Sequence, residues 1–135
     1  MPKKGEVMLL FGHRFIESEK LYYISSRDDI AKTPPSSTLY LEFSEKNLDT
    51  IRYLNKNSIK FALKVDSITE VIYGAALGAT YLHVEKTVAK KAQDIAENYL
   101  FDAKILVQIE SEDEIEEMAY LGIDGILFAE AIITQ

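Results

Sequence analysis

Four carboxylates each follow a short stretch that predicts a β-strand: Asp66, Glu85, Glu110 and Glu130. In parallel α/β folds the carboxyl ends of the strands meet at one edge of the sheet, and ligands bind there. Several carboxylates at one edge can hold Mg²⁺ or Mn²⁺ through oxygen ligands. The alternative is that these acids only precede helices, where they stay solvated and favour the positive end of the helix dipole.

Two further residues could take part in chemistry at that edge. Side chains two positions apart in a strand share a face, so Lys64 is predicted beside Asp66, and His83 beside Glu85. His83 or Lys64 could act as an acid–base group or bind a substrate carboxylate. We therefore treat both as candidate catalytic residues and the four carboxylates as candidate metal ligands.

A third candidate lies near the start of the chain, where Gly12-His13-Arg14 follows an apolar run. Arg14 and the neighbouring backbone amides could bind an anion or an anionic cofactor. The alternative is a glycine that ends a strand beside exposed polar residues.

Motifs typical of dinucleotide sites, phosphate loops, zinc proteases and serine hydrolases are missing from the sequence. The chain has no cysteine, which excludes disulfides, thiolate metal sites and thiol nucleophiles.

The elements that position these residues alternate along the chain. Strands are predicted over 38–43, 60–65, 80–84, 103–109 and 125–129, and helices over 45–57, 68–77, 87–101 and 112–121. Such alternation is typical of βα units with a mostly parallel sheet and right-handed crossovers. The first third, residues 1–37, is predicted as a more irregular segment. It has strands over 7–11 and 21–24 that could form a hairpin across 15–20, then a helical turn over 27–32 and a loop over 33–37.

An internal repeat supports this pattern. Ser67 and Ser111 each precede a predicted helix, with Glu70 and Glu114 three residues later. This spacing predicts a capping box, in which the serine accepts from a free backbone N–H and the glutamate reaches back. Gly78 and Gly122 stand at the same distance after the two serines, where a left-handed residue would end each helix.

Composition limits the classes of partner. A net charge of −7 argues against nonspecific nucleic-acid binding, which depends on neutralising phosphates. The longest early apolar run, over 7–11, is too short for a membrane span or the core of a signal peptide. We expect one cytoplasmic α/β domain over residues 1–135 that contacts neither nucleic acid nor membrane.

Residues 61–131 resemble the barrels of pyruvate kinase, the HpcH/HpaI-type aldolases and the citrate lyase β subunits. The resemblance rests on Val107-Gln108-Ile109-Glu110-Ser111 and on Gly122-Ile123-Asp124-Gly125-Ile126-Leu127-Phe128-Ala129. It implies a barrel-like fold and makes Glu110 a metal ligand. Gln108 stands where pyruvate kinases have lysine, and Glu130 stands where these families supply a second metal-binding aspartate.

Length then restricts the architecture. A complete (β/α)₈ barrel takes about 250 residues, so this chain predicts half of such a barrel or an open, flavodoxin-like three-layer sandwich. Exposed sheet faces could be covered by a second copy in a homodimer. The leading functional hypothesis is a non-catalytic or regulatory domain that binds a partner or self-associates. The alternative is a metal-dependent enzyme or sensor for a small carboxylate or phosphorylated metabolite, using Mg²⁺ or Mn²⁺.

Overall fold

The computed structural model describes residues 6–134, which form one curled, all-parallel sheet with helices packed along it. The strands are β1 Leu9–Phe11, β2 Leu21–Tyr23, β3 Thr38–Glu42, β4 Phe61–Lys64, β5 Tyr81–Val84, β6 Lys104–Gln108, β7 Gly125–Leu127 and β8 Ile132–Ile133. The α-helices are α1 Leu48–Lys56, α2 Ile68–Ala76, α3 Ala89–Asn98 and α4 Asp113–Tyr120. Short 3₁₀ turns cover Arg27–Lys32, Glu45–Asn47, Lys86–Val88 and Ala129–Ala131.

The strand order is β1-β7-β6-β5-β4-β3-β2-β8, and every pairing is parallel. This order requires a strong curl. In a flat sheet β7 and β8 would be six strand spacings apart, about 29 Å. The five Cα–Cα steps from Leu127 to Ile132 reach at most about 18 Å. The curl therefore brings the two ends of the sheet together, and Gly12 after β1 lies against Ala131 before β8.

The two faces of the sheet have separate cores. Buried residues of α1, α2, α3 and α4 all pack on the outer face, in one cluster with outward-facing residues such as Leu63 and Ile105. The inner face packs on itself, with one residue from each of β1 to β7: Phe11, Leu21, Tyr40, Ala62, Tyr81, Leu106 and Leu127. Because the helices cover one face only, the half-barrel form is the observed one and the flavodoxin-like alternative is wrong.

The predicted hairpin between the first two strands is also wrong. β1 pairs with β7, while β2 pairs with β3 and β8, and residues 12–20 carry the chain back so that both strands run in the same direction. The physical reason lies in the side chains. Leu9-Leu10-Phe11 and Leu21-Tyr22-Tyr23 are apolar on both faces, which suits strands of a parallel sheet covered on both sides.

The helices of the four α-helical units end in the same way. Ser58, Gly78, Leu100 and Gly122 each follow the last residues of a helix and have positive φ angles of 56°, 94°, 52° and 74°. A left-handed residue at this position ends the helix and turns the chain toward the next strand. The predicted roles of Gly78 and Gly122 are thus confirmed, and two non-glycine residues take the same conformation.

Candidate functional site

Polar side chains of the inner face gather where β3, β4 and β5 end. The register places Lys64 beside His83, and the same inner face continues to Asp66 and Glu85 just beyond the two strands. We call Lys64, Asp66, His83 and Glu85 the carboxyl-end rim. Below the rim, aromatic and aliphatic side chains fill the interior of the half-barrel. The ring centroids of Phe11 and Tyr81 lie 5.2 Å apart there.

His83 is the buried member of the rim, with 3% of its surface exposed. Its Nδ1 lies 2.7 Å from the phenol oxygen of Tyr40, which reaches across β4 from β3. Burial, and secondly the positive charge of Lys64, lower the pKa of His83 to about 4. His83 is therefore neutral near pH 7. Burial also raises the pKa of Tyr40, with Glu42 and Glu85 adding to the effect, so the phenol keeps its proton.

Lys64 is the cation of the rim, and its side chain is 23% exposed. Its Nζ lies 3.4 Å from Asp66 Oδ1 and 3.6 Å from Glu85 Oε1. The two carboxylates are more exposed, at 75% and 61%. The rim thus combines one ammonium group, two carboxylates and a neutral imidazole, which together supply hydrogen-bond donors and acceptors.

The four predicted metal ligands are spread around the edge of the sheet. Asp66 and Glu85 share Lys64, whereas Glu110 follows β6 and Glu130 lies in the 3₁₀ turn after β7. Among residues 6–134, His, Asp and Glu side chains form no group of three that could hold a metal ion. The metal assignment therefore stays a prediction.

The same type of hydrogen bond, from a backbone N–H to a carboxylate, follows three strands of the sheet. The N–H groups of Ser25, Asp66 and Glu110 donate to the carboxylates of Asp29, Glu70 and Glu114, each four residues later, over 2.9, 2.9 and 3.1 Å. Ser67 Oγ accepts from the Glu70 N–H and Ser111 Oγ from the Asp113 N–H, both at 3.2 Å, and Glu114 also accepts from the Ser111 N–H. The capping boxes predicted from the repeat are confirmed. Asp66 and Glu110 thus occupy junctions that bend the chain from strand into helix.

Arg14 binds a carboxylate of the protein itself. Its Nε and Nη2 donate to the two oxygens of Glu112 over 2.9 and 3.3 Å, in a fork that raises the pKa of Arg14 and lowers that of Glu112. His13 Nε2 lies 3.0 Å from the same carboxylate, while its Nδ1 accepts from the Phe15 N–H. These contacts fix the loop after β1 to the start of α4. The predicted anion site at Arg14 would have to compete with Glu112.

A second polar group lies at the amino end of the interior, and the sequence did not indicate it. The Glu19 carboxylate accepts from the hydroxyls of Thr38 and Tyr81, with Lys60 Nζ at 3.7 Å. Burial acts to raise the pKa of Glu19, but these two hydrogen bonds and Lys60 outweigh it and hold the pKa below its usual value. Glu19 thus connects the segment before β2 to β3 and β5.

The Asp124-Gly125 pair, part of the resemblance to pyruvate-type barrels, has a structural role. Asp124 Oδ2 accepts from the Ile105 N–H at 2.9 Å, and the Asp124 N–H donates to the buried Gln93 side chain at 2.8 Å. A Cβ on Gly125 would lie 2.7 Å from Leu9 Cβ, so only glycine fits between β1 and β6. This pair holds the amino ends of β1, β6 and β7 together.

Sequence reasoning found Lys64, Asp66, His83 and Glu85 but missed Tyr40. The sequence feature that could have indicated Tyr40 is the two-residue alternation of β3, which puts Tyr40 on the same face as Glu42 and therefore on the rim side.

Comparisons with models of known protein families and with curated protein sequences gave no match. Within residues 6–134 no helix is long and apolar enough to cross a membrane.

Proposed function

We propose that this protein is a small regulatory domain, without catalytic activity of its own, that binds a small polar ligand at the carboxyl-end rim. One observation carries the proposal: Lys64, the strand neighbour of the almost fully buried His83, pairs with both Asp66 and Glu85 at the edge where α/β folds bind ligands. Such convergent polar groups fix the orientation of a ligand. In this proposal the protein acts in the cytoplasm.

A non-catalytic role is supported by the contacts of the candidate catalytic groups. Lys64 is paired with two carboxylates, so its ammonium group is already engaged by Asp66 and Glu85. His83 is held by Tyr40 beneath it, and Arg14 is occupied by Glu112. The interior below the rim is filled by side chains, so a ligand would contact the rim from the outside.

Thermal-shift measurements test the proposal with Mg²⁺, Mn²⁺, a panel of oxoacids and a panel of sugar phosphates. A ligand present at about a hundred times its dissociation constant adds about 2.7 kcal/mol to stability. We expect at least one organic compound of the panel to stabilise the wild type without added metal, and Lys64→Gln to reduce that shift. Lys86→Gln is the matched control, since Lys86 also pairs with two carboxylates, Glu114 and Glu117, and neither belongs to the rim. No shift with any compound would remove the ligand-binding function.

The second candidate is a metal-dependent enzyme or sensor for a small carboxylate or phosphorylated metabolite. It is favoured by the approach of Asp66 and Glu85 to one point, now occupied by the Lys64 ammonium. Its signature in the same assay is a shift that needs Mg²⁺ or Mn²⁺ together with an oxoacid. A metal-dependent shift that Asp66→Asn abolishes would favour this candidate over the regulatory domain.

Self-association is the other part of the regulatory proposal. The connections after β1 and after β7 contain no α-helix, so this sector of the outer face has less cover. Val7, Phe15 and Ile16 flank β1 and are 86%, 70% and 46% exposed. Sedimentation at micromolar concentration is expected to show a homodimer that Phe15→Ser weakens, with Tyr120→Ser as a control at an exposed aromatic residue elsewhere. A wild-type monomer would remove this part.

A further inference from the structure

The position of the proton on His83 can be read from its contact with Tyr40. Either the phenol donates to Nδ1, which leaves the ring proton on Nε2, or Nδ1 carries the proton and donates to the phenol oxygen. The observed separation of 2.7 Å is a hydrogen bond in either arrangement. An imidazole nitrogen is a better acceptor than a phenol oxygen, which favours the phenol as the donor.

The other ring nitrogen, Nε2, then carries an N–H group. Within residues 6–134 it has no hydrogen-bond partner, and Ser44 Oγ is the only side-chain polar atom there that is both fully buried and unpartnered. Nε2 therefore keeps some contact with solvent although the residue as a whole is 3% exposed. His83 thus keeps one N–H group that no group of the described residues accepts, and this N–H is a free donor for a ligand.

The groups around that N–H define which ligand would complement it. His83 Nε2–H and Lys64 Nζ are donors and match the oxygens of a carboxylate, while Asp66 and Glu85 are acceptors. Two carboxylates and one ammonium give these three charged groups a net charge of −1, which disfavours a simple anion. An acid with a hydroxyl or ammonium group next to its carboxylate satisfies both sets at once.

We infer that Tyr40 is a positioning residue that fixes His83 as its Nε2–H form, and that the rim takes an α-hydroxy or α-amino acid. The inference rests on the proposed ligand-binding function and names its ligand class. The carboxylate of the ligand accepts from His83 and Lys64, and its hydroxyl or ammonium donates to Asp66 or Glu85. Tyr40 itself does not contact the ligand.

Nitrogen NMR of the two imidazole rings tests the role of Tyr40 without any ligand. The chain has two histidines, so His13→Gln assigns the signals of His83. We expect Nε2 to carry the proton in the wild type and in Tyr23→Phe, a control on the same face of the neighbouring strand β2. Tyr40→Phe is expected to give a mixture of the two forms. A wild-type His83 with its proton on Nδ1 would overturn the inference.

Titration with lactate and alanine tests the ligand class, with acetate and ethanolamine as probes that each lack one of the two groups. We expect lactate or alanine to move the His83 signals at concentrations where the single-function probes do not. Tyr40→Phe should weaken that binding about five- to tenfold, the effect of one hydrogen bond. Acetate binding as well as lactate would overturn the ligand class. No effect of any probe, with Nε2–H in place, would remove the ligand class and leave the role of Tyr40 standing.

Discussion

Tyr40 and His83 come from strands that are not neighbours, yet their side chains meet over 2.7 Å across β4, whose Ala62 is the register partner of Tyr40. Ala62 is small enough to leave room for the phenol ring to reach across. The contact satisfies Nδ1 of a ring that is nearly cut off from water, and unpaired polar groups in that position are costly. It also holds the imidazole in one orientation beneath Lys64.

Burial of His83 makes stability depend on pH. Burial and Lys64 lower the folded pKa to about 4, whereas an unfolded histidine titrates near 6.5. Above about pH 6.5 both states are neutral, so the full stability is present. As the pH falls from about 6.5 to about 4, only the unfolded chain takes up the proton, and stability falls by about 3 kcal/mol. Urea unfolding at a series of pH values measures this loss.

The two histidines provide the control for that measurement. His83→Gln should remove most of the loss between about pH 6.5 and pH 4, although the variant starts from a lower stability. His13→Gln should keep the loss, because His13 lies at the loop after β1 and makes different contacts. If His13→Gln flattens the profile instead, the pH dependence has been assigned to the wrong ring.

The Glu19 carboxylate gives a second, separate effect. Glu19→Gln replaces one acceptor oxygen by an NH₂ group, which cannot accept from both the Thr38 and Tyr81 hydroxyls. Because the carboxylate is partly solvated, we expect a loss of about 1–2 kcal/mol by urea unfolding at neutral pH. The folded pKa of Glu19 is lowered, so its contribution is present above the unfolded pKa and disappears as the pH falls through the folded pKa.

Glu17→Gln is the matched control for Glu19, since Glu17 is an exposed glutamate two residues earlier. It should change stability by less than about 0.5 kcal/mol. Equal effects of the two variants would mean that charge, and not the hydrogen bonds to Thr38 and Tyr81, decides the result.

Much of the fold was predictable because its signals are local. The capping boxes at Ser67 and Ser111 and the glycines at 78 and 122 are spacings within one unit, and the structure confirms them. The third junction, Ser25 to Asp29, was not predicted because a shorter aspartate replaces glutamate and a 3₁₀ turn replaces the α-helix. The same type of hydrogen bond forms there, but the residue types are not those of the repeat.

The pairing of the outer strands was not predictable from local spacing. Whether β1 pairs with β2 or with β7 depends on the curl of the whole sheet, and the closing strand β8 has only two residues. The Tyr40–His83 contact has the same origin, since it joins residues 43 positions apart. Alternation gave the face of each residue, but only the register of β3, β4 and β5 brings the two side chains together.

Leu100 offers a test of the helix endings. It has a φ of 52° and is 83% exposed, at the position that Gly78 and Gly122 occupy in two other units. A left-handed conformation costs a leucine about 1–2 kcal/mol, part of which glycine recovers. The greater freedom of glycine in the unfolded chain offsets part of this gain. Leu100→Gly is therefore expected to stabilise the protein by a net amount of about 0.5–1 kcal/mol in thermal or urea unfolding.

Tyr99→Gly, at the residue before Leu100, is a control that we expect to have the opposite effect on stability. Tyr99 has a φ of −101°, which glycine does not improve, and its ring stacks on Phe101. That variant should lose stability. If Leu100→Gly loses stability as well, then the exposed leucine makes a contact that matters more than its backbone conformation.

Lys64→Gln asks what the two rim carboxylates do once their cation is removed. Asp66 and Glu85 would face each other without the ammonium that lies 3.4 and 3.6 Å from them. Carboxylate oxygens in that arrangement suit Mg²⁺ or Mn²⁺. We expect either metal to raise the melting temperature of Lys64→Gln more than that of the wild type, because Lys64 holds the position that a metal ion would take. In Lys86→Gln, whose freed carboxylates lie on α4, the metal effect should match the wild type. A wild-type shift as large as that of Lys64→Gln would show that the metal binds elsewhere, and Glu110→Gln would then be the variant to measure.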